Sequence, residues 1–157
     1  MRVALLTYLL VGFFHSAYAD ATSHCGESEQ IIFSCQIRDS SKVLSLCASK
    51  DLSDSSGYLQ YRFGKLNEIE LEYPADRKDS QKQFLYRHYF RYQVDETEIS
   101  FVNQGHEYTI YSYYEGDGDG TPQQEEGVQV DDADLQCAGF GNADFAPLEG
   151  AVPGEQE

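Results

Sequence analysis

Between Ile31 and Tyr114 apolar side chains recur at alternate positions, the period of a half-buried strand, and no run sustains the 3.6-residue period of a helix. The run 31–37 (IIFSCQI) sets Ile31, Phe33, Cys35 and Ile37 on one face. The run 43–48 (VLSLCA) sets Leu44, Leu46 and Ala48 on one face and Cys47 on the other. Polar residues 38–42 separate the two, which predicts a hairpin. The run 57–63 turns Leu59, Tyr61 and Phe63 one way and Tyr58, Gln60 and Arg62 the other. The run 67–73 alternates Ile69, Leu71 and Tyr73 with Glu68, Glu70 and Glu72. Gly64-Lys65-Leu66 is expected to form a three-residue hairpin loop that pairs Tyr61 with Ile69 and Leu59 with Leu71. Pro74 ends the strand, and the polar connection 75–83 has room for one helical turn.

The stretch 84–114 carries the densest alternation and predicts three antiparallel strands. Phe84, Tyr86, His88, Phe90, Tyr92 and Val94 share the inward face, with Leu85, Arg87, Tyr89, Arg91 and Gln93 opposite. A turn at Asp95-Glu96 would pair Tyr92 with Ile99 and Phe90 with Phe101. A turn at Gln104-Gly105 would pair Phe101 with Tyr108 and Ile99 with Ile110. The two registers agree on the inward set, which matters because a one-residue slip reverses every side chain of a strand. The runs 127–130 and 135–138 then predict a last hairpin or bent strand that delivers Cys137. The fold expected is an all-β, antiparallel meander or barrel-like domain of seven or eight strands over residues 20–139. Residues 140–157 are expected as a partly disordered tail, with Phe140, Phe145 and Leu148 as docking residues.

The N-terminus changes the compartment. Met1-Arg2, the apolar run 3–14 and Ala17-Tyr18-Ala19 predict a secretory signal over residues 1–19. Its apolar run is too short for a membrane span, which needs about 20 residues. A periplasmic or secreted location is oxidising, so the four cysteines are expected as two disulfides. Their spacing holds no CxxC pair, which argues against zinc and against thioredoxin-like redox chemistry. Three connectivities are open. With Cys35 on the inward face and Cys47 on the outward one, the facing geometry of a disulfide disfavours joining those two. It favours Cys35–Cys137 and Cys25–Cys47, a disulfide-stapled domain.

Charge narrows the partners. The chain has 27 Asp and Glu against 11 Lys and Arg, a formal net charge of −16. This argues against nucleic acid and anionic membrane surfaces, which attract basic patches, and suits a basic protein or peptide, or a metal ion. Glu115, Asp117, Asp119, Gly120 and Glu126 match positions 1, 3, 5, 6 and 12 of an EF-hand calcium loop. Glu at the first position, Pro122 at the eighth and strand-like flanks depart from that pattern, and a solvated acidic hairpin loop is the competing reading. His88, Asn103 and His106 are expected to form one polar rung, readable as a metal or acid/base pair or as hydrogen-bonded closure of the core. Outward Tyr89, Tyr111 and Tyr113, with Arg87 and Arg91, form the expected binding surface. No GxSxG, HExxH, GxGxxG or P-loop occurs, and the chain is read as non-enzymatic.

Two resemblances follow from these residues. VLSLCAS followed by GYLQYRFG is similar to a group of exported bacterial β-proteins with no established function. Cys35 in the first strand, the late strand SFVNQGHEYTIY and the C-terminal Cys137 resemble the c-type lysozyme inhibitors of bacterial envelopes. That second resemblance implies a small antiparallel β-barrel whose first and last strands are bridged. In that family a Ser-Gly-x-x-Tyr segment and a lysine before the glycine of the late hairpin enter the lysozyme cleft. Here Gln104 stands at the lysine's place and no Ser-Gly-x-x-Tyr precedes it, so the inhibitory residues do not carry over. The function expected is binding of a partner by an exported β-domain. A lysozyme-inhibitor-like role and calcium binding are the alternatives.

Overall fold

The computed structural model describes residues 23–116, 118 and 120–154; the predicted signal 1–19 lies outside them. Ten strands are seen: β1 Glu29–Gln36, β2 Lys42–Ser49, β3 Leu59–Lys65, β4 Glu68–Tyr73, β5 Leu85–Arg91, β6 Val94–Asn103, β7 His106–Glu115, β8 Gln123–Val130, β9 Ala133–Gln136 and β10 Asn142–Ala143. They form two antiparallel five-stranded sheets, β10-β1-β2-β3-β4 and β5-β6-β7-β8-β9. The all-β, disulfide-stapled expectation holds, but the sheets do not close into a barrel. They meet along one seam, where Ile37 bridges Cys137 and the Ala138 N–H donates to the Gln36 carbonyl at 2.8 Å.

One core lies between the sheets, built from Phe33, Leu44, Leu46, Leu59 and Tyr61 on one side and Ile99, Phe101, Ile110 and Val128 on the other. Each such side chain contributes about 1.5–3 kcal/mol on burial. Tyr61 carries the aromatic contact across the gap, 5.1 Å from Phe101 and 5.9 Å from Tyr108 between ring centroids. Both favoured disulfides are present: Cys35–Cys137 ties β1 to the chain after β9, and Cys25–Cys47 pins the N-terminal arm to the outside of the first sheet. That arm buries residues the alternation places outward. Gln60 is fully buried and Arg62 is 4% exposed, because Glu29 and the His24 carbonyl lie over them.

Two registers differ from expectation. In β3–β4 the turn is Leu66-Asn67, closed by Lys65 opposite Glu68, so Tyr61 faces Tyr73 and Phe63 faces Leu71. Gly64 serves as a bulge instead of a loop residue: at its φ of 150° a Cβ would sit 2.3 Å from the Glu68 carbonyl. In β5–β6 the turn is Tyr92-Gln93, so Tyr86 faces Ile99 and Phe90 faces Asp95. This register brings Phe84 against Phe101 at 5.3 Å and Arg87 against Glu98. It expels Phe90 and Tyr92 from the core, at 71% and 84% exposure. The β6–β7 register is as expected, with Phe101 opposite Tyr108 and Ile99 opposite Ile110.

The chain beyond residue 139 belongs to the fold. β10 pairs with β1, Phe145 stacks on Phe33 at 5.9 Å, and Leu148 and Val152 enter the core. The Tyr86 N–H donates to the Pro153 carbonyl at 2.9 Å, covering part of the β5 edge. Of the proposed tail, residues 155–157 lie outside the described residues.

Candidate functional site

The outer face of the second sheet holds the predicted Tyr/Arg surface in two consecutive rows. Arg87, Glu98, Tyr111 and Gly127 form one row, and Tyr89, Glu96, Tyr113 and Glu125 the next. Much of this surface is committed internally. Arg87 donates to the Glu98 carboxylate at 2.8 and 2.9 Å, and the Tyr113 hydroxyl donates to the same carboxylate. Tyr111 stacks on Tyr113 at 5.0 Å and donates to Asp134 at 2.7 Å. Burial first, then these carboxylate acceptors, push both phenols well above their usual range. Gly127 makes the arrangement possible: a Cβ there would lie 2.8 Å from the Tyr111 hydroxyl and 2.5 Å from the Leu135 carbonyl. Tyr111 is therefore buried, at 6% exposure, and not the open contact residue its alternation suggests. Tyr89 and Arg91 are exposed, and Tyr113 is half-buried.

The acidic loop and the histidines are placed differently from the expected clusters. Glu115 ends β7 opposite Gln123, while Glu126 lies three positions further along β8, opposite Ser112. The Glu126 carboxylate accepts from the Gly141 N–H at 2.5 Å, from Gln124 at 3.0 Å and from Ser112 at 3.2 Å. Asp117 and Asp119 lie outside the described residues. His88 pairs with Thr97 and sits 3.0 Å from Asp95, whereas His106 pairs with Asn103 and sits 2.6 Å from Asp131. The expected His88–Asn103–His106 rung thus does not form, because the β5–β6 register moves His88 away from Asn103. Among the described residues, the grouping tight enough for a metal is Cys25, Glu29 and Cys47. There the two sulfurs are bonded to each other and the carboxylate is held by Arg62, so no ligand set is free.

The inner face of the second sheet shows what the alternation missed. Past the core row Tyr86–Ile99–Ile110–Val128 comes a polar row, His88–Thr97–Ser112–Glu126, and then a mixed one, Phe90–Asp95–Tyr114–Gln124. Phe145 from the C-terminal segment leans over these rows. Thr97 and Ser112 of the polar row, the whole mixed row and Phe145 line an open cleft of about 400 Å³ with Val94 in its wall. Lys and Arg are absent from its lining. This cleft exists only in the observed register, since it uses the Phe90 that alternation assigns to the core.

A second signal was open to sequence reading. Arg91 is the last Lys or Arg of the chain; 16 of the 27 acids follow it, and the 11 that precede it equal the 11 Lys and Arg in number. The whole formal net charge therefore belongs to residues 92–157, which build β6 to β10. β1 to β5 come from a segment with balanced charge, while β6 to β9 of the second sheet carry no Lys or Arg at all.

No helix among the described residues is long and apolar enough to cross a membrane. Compared with protein-family models, curated proteins and solved structures, the chain gives no match.

Proposed function

We propose that this protein is an exported, non-enzymatic β-domain that binds a basic protein or peptide through its second sheet. The observation that carries the reading is the separation of charge: β6 to β9 hold acids and no Lys or Arg of their own, and Arg87 of β5 answers Glu98 and Glu96 at one edge. A surface of one sign steers an oppositely charged partner and raises its association rate, with strong dependence on salt. Half-buried Tyr113 and exposed Tyr89, beside Glu96 and Glu125, supply aromatic contact area of the kind enriched at interfaces. Export follows from the predicted signal and suits two disulfides, which persist in oxidising compartments.

The test compares two neutralised proteins for binding to c-type lysozyme and to a lysine-rich peptide. In one, Glu96→Gln, Glu107→Gln, Glu125→Gln and Asp132→Asn remove exposed charge from the second sheet; in the other, Asp51→Asn, Asp54→Asn, Glu68→Gln and Asp76→Asn remove as much from the first half. Selective loss with the first set supports the proposal, and equal loss with both overturns it.

A lysozyme-inhibitor-like role is the second reading. It is favoured by the Cys35–Cys137 staple joining β1 to the end of the second sheet, combined with a surface suited to a basic target. Gln104 at the tip of the β6–β7 hairpin stands where the resemblance calls for lysine. Unimpaired cell-wall lysis at micromolar excess of this protein would remove this reading.

A further inference from the structure

We propose that the inner-face cleft of the second sheet is a socket for one cationic side chain, a lysine of the basic partner. This rests on the reading of the second sheet as the element that meets such a partner, and it places one contact on the inner face, opposite the Tyr89–Tyr113 row.

The walls are aromatic. Phe90 stands at the rim 71% exposed, and Tyr114 and Phe145 line the same cavity. Aromatic faces attract an ammonium through their quadrupole while the side chain's methylenes pack on the rings.

The polar groups are disposed to accept. Thr97 is 3% exposed and lines the cleft, so what its side chain leaves open faces the space a ligand would fill. Ser112 donates its hydroxyl proton to Glu126, and Gln124 donates an amide N–H to the same carboxylate. Their remaining lone pairs are left as acceptors. Asp95 has one oxygen beside His88 and a second one unused by that contact. A carboxylate, hydroxyl oxygens and an amide carbonyl match the three donors of an ammonium, and no Lys or Arg in the lining competes for them. The volume, about 400 Å³, takes a lysine side chain with room for its backbone at the mouth.

The test is an NMR titration of the labelled protein with Nα-acetyl-lysine amide, using Nα-acetyl-norleucine amide as the uncharged match. The expected result is saturable movement of the Asp95, Thr97, Ser112 and Tyr114 resonances with the lysine derivative alone. Phe90→Leu keeps an apolar wall but removes the ring face; it is expected to weaken the lysine derivative by about 2- to 30-fold, the span of a ring–cation contact. Asp95→Asn is expected to abolish the difference between the two derivatives. Phe90 and Asp95 both lie outside the core, and the spectra report folding directly. An equal response to both derivatives overturns the proposal. So does movement confined to residues outside the cleft, and in that case binding of basic proteins by the second sheet still stands. Failure of basic proteins to bind, with the cleft still responding to the lysine derivative, removes the proposed function and leaves the socket.

Discussion

The Arg62 guanidinium grips both oxygens of the Glu29 carboxylate, at 2.6 and 2.8 Å, on the face of the first sheet turned away from the core. Glu72, Gln60 and the His24 carbonyl complete its hydrogen bonds. Tyr58 and the Gly26 N–H hold Glu29 from the other side. A buried pair this well satisfied costs little as a pair and much when halved, since removing one partner leaves an uncompensated charge. Arg62→Met is therefore expected to lose roughly 3–5 kcal/mol. Arg62→Met combined with Glu29→Leu is expected to recover most of that. Urea denaturation of the single and double variants measures both, and a single variant within ~1 kcal/mol of the parent would refute the assignment.

The same pair sets a pH dependence. Burial alone would raise the Glu29 pKa, but hydrogen bonds from Arg62, the Gly26 N–H and Tyr58 outweigh it and bring the value to about 2. The unfolded chain binds the proton near pH 4.5, so between that pH and about 2 the unfolded state holds more protons than the folded one. Stability from this group is thus complete above the unfolded value and is lost as pH falls toward 2. Its size is roughly 3 kcal/mol. Denaturation across pH 2–6 is expected to show this acid limb in the parent and a shallower one in Glu29→Gln. Parallel curves would remove Glu29 as its source.

Alternation is a local property and was legible: the core faces of β2, β3, β6 and β7 follow it. Register is not local. Gln104-Gly105 marked the β6–β7 turn, but in β5–β6 the expected and observed turns place Phe90 opposite residues an even number of positions apart, Phe101 and Asp95. An even offset preserves every face, so the pattern has no means to choose between them. What chooses is packing at a distance, Phe84 on Phe101 and Arg87 on Glu98. The cleft inherits that limit because it depends on where Phe90 lands. The arm over Arg62 was invisible for a different reason: its residues carry no period, and only Cys25 tied them to the sheet. The charge boundary after Arg91 needed no structure, but total charge conceals it.

Gly127 permits Tyr111 to lie over the second sheet, and its replacement tests that packing. In Gly127→Ala the new methyl meets backbone, the Leu135 carbonyl at 2.5 Å, which cannot move aside as a side chain tip does. Overpacking of this kind costs about 1–3 kcal/mol. Tyr111→Phe, which loses only the Asp134 hydrogen bond, is expected to cost about 0.5–1.5 kcal/mol, up to about 3 for an ionised acceptor. Combining the two is expected to cost less than their sum, because both disturb one contact. Full additivity in denaturant would show that the alanine methyl acts on the β8–β9 backbone alone.

Calcium provides the last test, and the geometry sets its outcome. An EF-hand-like site over 115–126 needs Glu126 as its closing bidentate ligand. Here that carboxylate lies in β8, accepting from the Gly141 N–H, Ser112 and Gln124. Binding there would first have to break those hydrogen bonds and free Glu126 from a buried site. Millimolar calcium is therefore expected to leave the melting temperature within about 1 °C of its value in chelator, since any ligand specific for the folded state must raise it. Glu126→Gln separates the remaining cases. A saturable rise in the parent that vanishes in this variant would mean that Glu126 leaves Gly141 to coordinate the ion. A rise that persists would place the ion on Glu115 and the loop acids without Glu126.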